Sequence, residues 1–137
     1  MFGDINYLAV LVAGIVAMGI GSLWYGPLFG KPWMALMGIT PLQMDAGKKK
    51  GMMKSYIIGF IGALVTAFTL AYLISSLGVA GVTGGLTLGF LVWLGFFVTT
   101  KLGSVLWEMR PWKLYFLNIG YDLVNLLVMG IILAVWQ

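Results

Sequence analysis

The sequence predicts an all-α membrane protein, four transmembrane helices in a compact bundle with a short interfacial helix in the first cytoplasmic loop. Three observations carry that prediction. Hydrophobic residues make up 61% of the 137 positions and charged residues only 9%, against about 45–50% and roughly 25% in soluble domains. A chain this short has no interior large enough to hide so much apolar surface from water. Four apolar runs each approach the length of about 20 residues that a helix needs to cross about 30 Å of hydrocarbon. All eight Lys and Arg residues lie in, or at the edge of, the first and third connections between those runs. One domain, residues 1–137, is expected, with spans at about 5–25, 55–77, 86–107 and 114–136.

The first run, Ile5 to Trp24, is free of charge. It reads as a retained span rather than a signal peptide, because Asp4 precedes it without any Lys or Arg and no small-x-small cleavage site follows. In the connection that follows, Thr40-Pro41-Leu42-Gln43 supplies an N-cap, a proline at the first helical position and a glutamine three residues after the cap. A short helix is expected there, with Met37, Met44, Met52 and Met53 against the headgroups and Lys48, Lys49 and Lys50 beside them. Such a basic cluster attracts anionic lipid at about 1 kcal/mol per residue near the surface. The second run is followed by Gly78–Gly85 (GVAGVTGG), read as a turn. Pro111 in Glu108–Trp112 breaks the chain between the third and fourth runs. β-barrel strands would be about half as long and would alternate apolar with polar residues, which these runs do not.

Orientation follows from charge. Lys31, Lys48, Lys49, Lys50 and Lys54 mark the first connection, and Lys101, Arg110 and Lys113 the third. Lys and Arg are retained on the cytoplasmic side, so both basic loops are expected inside and both termini outside. Trp24, Tyr25, Trp33, Trp107 and Trp112 then gather at the inner boundary, where amphipathic rings sit.

Helices in lipid associate by close backbone approach. Ala9, Ala13, Ala17 and Gly21 form one four-spaced ridge, and Gly59, Ala63, Ala67, Ala71 and Ser75 another. The third run offers Gly85 and Gly89, then Gly95, Thr99 and Gly103. With more ridges than one small bundle consumes, a homo-oligomer is expected alongside the lipid bilayer as partner. Gly21–Trp33 and Gly103–Trp112 also echo each other, as a duplicated helical hairpin would.

The chain has no Cys and no His. That removes disulfides, thiol nucleophiles, Cys/His metal sites and Ser-His-Asp triads together. No catalytic residue, cofactor or metal is assigned, an enzyme is not expected, and the basic residues point to membrane rather than nucleic acid. What remains is polar chemistry at membrane depth. Asp122 is the one acidic residue inside a span, with Asn118 and Asn125 on the same helix face and Tyr121 beside it. Lys101 and Asp122 lie seven residues before Glu108 and nine after Lys113, which at about 1.5 Å per residue places them ~10 and ~14 Å from the inner helix ends. A Lys101–Asp122 pair is therefore expected, with Asn118, Asn125, Thr99, Thr100 or Ser104 taking the remaining hydrogen bonds. Glu108 is expected to pair with Arg110 or Lys113 in the loop.

Nearly the whole chain resembles a bacterial membrane family called domain of unknown function 1761. The resemblance rests on NYLAVLVA at Asn6–Ala13, LWYGPLFGKPWM at Leu23–Met34, KKKGM at Lys48–Met52, WLGFFVTT at Trp93–Thr100 and LNIGYDLVNLLVMG at Leu117–Gly130. It implies four helices, the bacterial cytoplasmic (inner) membrane and an ionisable group, often histidine, at the place of Asp122. It implies no activity. The expected function is an oligomeric structural, interaction or regulatory membrane unit. The alternative is a small transporter or channel built on Asp122, Lys101, Asn118, Asn125 and Tyr121.

Overall fold

A computed structural model describes residues 5–38, 40, 42–43 and 53–137. Among them there is no strand, and four helices are long and apolar enough to cross a membrane: Tyr7–Leu28, Met53–Leu77, Gly81–Leu106 and Trp112–Val135. Helix α1 (Tyr7–Leu23) is capped by Asn6, whose side chain accepts from the Ala9 N–H at 3.2 Å. It widens into a π-helical turn, Trp24–Leu28, at Pro27. The proline has no N–H to give and its ring crowds the preceding turn, so a wider turn relieves both problems.

The first connection then folds back as α2 (Gly30–Met37), closed by Gly38 in the left-handed conformation. The Thr40 hydroxyl oxygen accepts from the Gln43 N–H at 3.2 Å, while Gln43 Oε1 accepts from the Thr40 N–H at 2.9 Å. This is the reciprocal cap that the sequence spells, and Leu42 and Gln43 are helical. Pro41, Met44, Met52 and the Lys48–Lys50 cluster lie outside the described residues.

Helix α3 (Met53–Leu77) is the second span. The turn after it is shorter than its glycines imply, because α4 (Gly81–Val92) already contains Gly84 and Gly85. Within Gly78–Gly85 only Gly78 and Gly81 take positive φ, 68° and 76°. Gly85 belongs to the helix for a packing reason. A Cβ there would collide with the Gly130 carbonyl, and one at Gly89 would come within 2.7 Å of the Leu126 carbonyl. The third span thus starts at Gly81 rather than about residue 86. It continues through a second π-helical stretch, Trp93–Val98, and a tightened turn at Lys101–Leu102 into the short α5 (Gly103–Leu106). Pro111 caps α6 (Trp112–Val135), the fourth span.

Helix α6 is central, packing against α1, α3 and α4, while α1 also lies along α3. Helices α3 and α4 form no comparable interface. A duplicated hairpin would have made α3–α4 equivalent to α1–α6, so the echo between Gly21–Trp33 and Gly103–Trp112 does not extend to the packing.

The small-residue ridges pack unevenly. Ala9, Ala13, Ala17, Ala67 and Ala71 are buried, but Gly21 and Ala63 are only half-buried, and Gly59, Gly95 and Thr99 are exposed. The largest cluster of buried residues lies toward the end of the termini. That cluster joins Ile5, Ala9 and Ala13 to Leu70, Ile74, Leu126, Met129 and Leu133. It is tied off by Asn6 Nδ2 donating to the Trp136 carbonyl and Gln137 Nε2 to the Val79 carbonyl. Toward the end that carries the first and third connections, Leu114, Tyr115 and Ile119 of α6 are buried as well, and cavities open between α1, α3 and α6.

Candidate functional site

The site forms at the edge of the main buried cluster, next to Leu126 of α6 and Ala17 of α1. Asp122 stands near the middle of α6 and is 5% exposed, the one buried charged residue among the described residues. A carboxylate at this depth costs several kcal/mol unless it is paired and hydrogen-bonded. The partner comes from the third span: Lys101 Nζ donates to Asp122 Oδ2 at 2.5 Å. The same ammonium stands 5.6 Å from the centroid of the Phe97 ring, within range of a cation–π contact.

The π-helical stretch is what aims Lys101. Each residue of an α-helix turns about 100°, so one extra residue per turn rotates everything beyond it by that angle. Hydrogen bonding across the stretch supports the new register. The Trp93 indole N–H donates to the Ile119 carbonyl at 2.7 Å, and the Tyr115 hydroxyl donates to the Val98 carbonyl at 2.7 Å. Both bonds pin the third span to α6 on either side of Phe97.

The π turn of the first span does matching work across the bundle. Trp24 Nε1 donates to the Leu117 carbonyl at 3.1 Å, and the Tyr25 hydroxyl donates to Asn118 Oδ1 at 2.8 Å. Tyr25 also meets Tyr121 edge-on, with ring centroids 5.3 Å apart. Gly21 leaves room for Tyr121, whose hydroxyl would stand 3.3 Å from a Cβ at that position.

Of the five polar positions read from the sequence, Lys101 and Asp122 meet directly, and Asn118 is engaged by Tyr25 instead. Tyr121 lies between the two groups. Asn125 Oδ1 is buried without a hydrogen-bond partner among the described residues. The helpers expected from the third span are occupied elsewhere. Thr99 donates to the Gly95 carbonyl, Thr100 to the Phe96 carbonyl and Ser104 to the Lys101 carbonyl. A hydroxyl one turn above a carbonyl finds it before it finds a neighbouring helix. Glu108 makes no ion pair with Arg110 or Lys113 among the described residues. All three are exposed, where water solvates them as well as a partner would.

Two cavities meet at this point. One, of about 270 Å³, is lined by Asp122, Asn125 and Tyr121 of α6, Ala17 and Met18 of α1, Gly59, Ala63 and Thr66 of α3, and Phe97 of the third span. The other, of about 510 Å³, shares Ala17, Met18 and Tyr121 and extends past Tyr25, Trp33, Met34 and Tyr56. Tyr25 and Trp33 are legible in the sequence only as interfacial anchors, and nothing in their spacing says that they line a cavity. Asp122 is the sole acidic side chain here, and no three metal-ligating side chains gather among the described residues. The chemistry on offer is recognition: a carboxylate, an amide acceptor and aromatic faces at mid-membrane depth.

The sequence model of a family described as protein of unknown function (DUF1761) matches residues 8–134. No curated protein and no solved structure matches the chain.

Proposed function

The chain belongs to the DUF1761 family, and from that premise we propose that it is a small membrane transporter that takes a polar solute into the cavity at Asp122. The observation that carries this reading is the cavity itself. Side chains from all four spans meet around one carboxylate and one unpartnered amide oxygen, at a depth where polar groups are costly and mark solute or ion paths. A unit built only for scaffolding gains nothing from an unfilled polar space beside its buried charge. The larger cavity runs from Tyr121 past Tyr25, Trp33 and Met34 toward the first connection, which gives the site an accessible side.

Several further assignments belong to the same reading. The protein acts by binding and passage rather than by catalysis. It lies in a bacterial cytoplasmic membrane with both termini outside, and Lys48–Lys50 hold the first connection against anionic lipid on the inner face. A second reading, an oligomeric structural or regulatory unit, is favoured by one feature: Gly95 and Thr99 form a small-residue face on the third span that is exposed among the described residues.

Uptake into proteoliposomes tests the first reading. Small organic cations, organic anions and neutral polar solutes are offered to wild type and to Asp122→Asn, both first matched for native mass. Saturable uptake of one class by wild type, lost in the variant, is the expected result. Uptake of none, or uptake indifferent to Asp122, overturns it.

A further inference from the structure

We propose that the cavity at Asp122 is a site for a primary organic ammonium with an apolar or aromatic body, and that Lys101 is its built-in competitor. The inference rests on the transport reading only for the purpose of binding; the site's chemistry stands on the geometry.

The present occupant of the carboxylate defines what it recognises. Lys101 Nζ is an ammonium held 2.5 Å from Asp122 Oδ2 and 5.6 Å from the Phe97 ring centroid. That is how a carboxylate and an aromatic face together bind an alkyl ammonium. The two partners are not equally fixed. The Asp122 side chain is 7% exposed and sits in the middle of a helix packed on three others, whereas the Lys101 side chain is 41% exposed on a flexible stem. Lys101 can withdraw toward the nearer membrane surface, as long basic side chains do. Asp122 cannot. The group that can be replaced is therefore the cation, so the ligand is a cation and not an anion.

Two further features specify it. Asn125 Oδ1 is buried and unpartnered on the wall of the same cavity, so it lacks an N–H donor. A primary ammonium brings three, enough to serve Asp122 and Asn125 together. The adjoining cavity, with Tyr25, Trp33, Tyr56, Met18 and Met34 on its walls, offers an aromatic and thioether lining to an apolar body. Because α3 and α4 do not close on each other, such an ammonium has two sources, a free amine from solution or the headgroup of phosphatidylethanolamine from the bilayer.

Calorimetric titration of phenethylammonium into the protein in phosphatidylcholine nanodiscs tests the proposal. Wild type should bind saturably. Lys101→Met, which removes the competitor, should bind at least about tenfold tighter, a shift no merely structural role of Lys101 produces. Asp122→Asn should abolish binding and Asn125→Leu should weaken it by about tenfold. Phenylacetate should not bind, and the trimethylated analogue, which lacks N–H donors, should bind more weakly than the primary amine. Replacing part of the phosphatidylcholine by phosphatidylethanolamine separates the sources: a raised apparent Kd for the amine identifies the headgroup as occupant, and an unchanged one the free amine.

Equal binding to wild type and Asp122→Asn overturns the proposal, as does weaker binding by Lys101→Met. If Asp122→Asn does not fold, Lys101→Met and Asn125→Leu decide alone. Amine binding without flux would sink the transport reading and leave this site standing. Flux of another solute class without amine binding would do the reverse.

Discussion

At the scale of single residues, the pair Lys101–Asp122 is asymmetric, and its two halves should fail differently. Removing Lys101 leaves a carboxylate stranded at 5% exposure, with no second ion-pair partner among the described residues. Lys101→Met should lower stability in detergent by about 3 kcal/mol, at the lower end of the range for breaking a buried pair. Removing the charge of Asp122 leaves a lysine that can reach the membrane surface, so Asp122→Asn should cost about 1 kcal/mol or less. Thermal unfolding of both variants checks the order; equal losses would mean that Lys101 is as firmly fixed as its partner. Sequence spacing brought these two residues to nearly the same depth. It could not say that Thr99, Thr100 and Ser104 would turn to their own helix, nor that Tyr25 would take Asn118, because those choices depend on which oxygen is nearer.

Whole elements show a second asymmetry, between glycines that hold helices together and glycines that merely occupy them. Gly85 and Gly89 press α4 against the backbone of α6, whereas nothing lies within 4 Å of a Cβ placed at Gly95. Gly85→Ala should therefore destabilise by about 1–3 kcal/mol through forced separation of the helices. Gly95→Ala should be neutral or gain up to ~1 kcal/mol of helix propensity. Unfolding midpoints of the two variants settle the contrast, since every glycine of the third span looks alike in sequence. The π-helical stretch Trp93–Val98 gives a sharper expectation. Deleting Gly95 should restore an ordinary helix, rotate Lys101 away from Asp122 by about 100° and cost about as much stability as Lys101→Met. A further loss on adding Lys101→Met to the deletion would show that the ion pair had survived it. Neither π segment was visible in advance. Pro27 marks the first only as a place of difficulty, and the second carries no proline at all.

For the molecule as a whole, the cavities at Asp122 extend past Tyr25, Trp33 and Met34 toward the first connection, and this gives orientation a functional meaning. A reporter fused after Gln137 should report from the outer side. Replacing Lys101, Arg110 and Lys113 together by Gln should weaken that preference, because the third connection then carries no positive charge. A reporter that faces the cytoplasm in the wild-type protein would reverse the orientation and turn the cavity outward. The sequence by itself determined the membrane class, the number of spans and their approximate limits. Those follow from hydrophobic length against bilayer thickness, a local quantity that needs no knowledge of neighbours. It also determined the reciprocal cap at Thr40 and Gln43 and the presence of an ionisable face on the fourth span, both matters of spacing along one helix. Only the tertiary structure decided that α6 stands at the centre, that α3 and α4 form no comparable interface, and that the gap between helices falls at Asp122. The physical reason is that lipid removes the hydrophobic effect as a guide to which helix faces which. Close backbone contact, indole and phenol hydrogen bonds, and one ion pair make that choice, and each depends on two segments far apart in the chain.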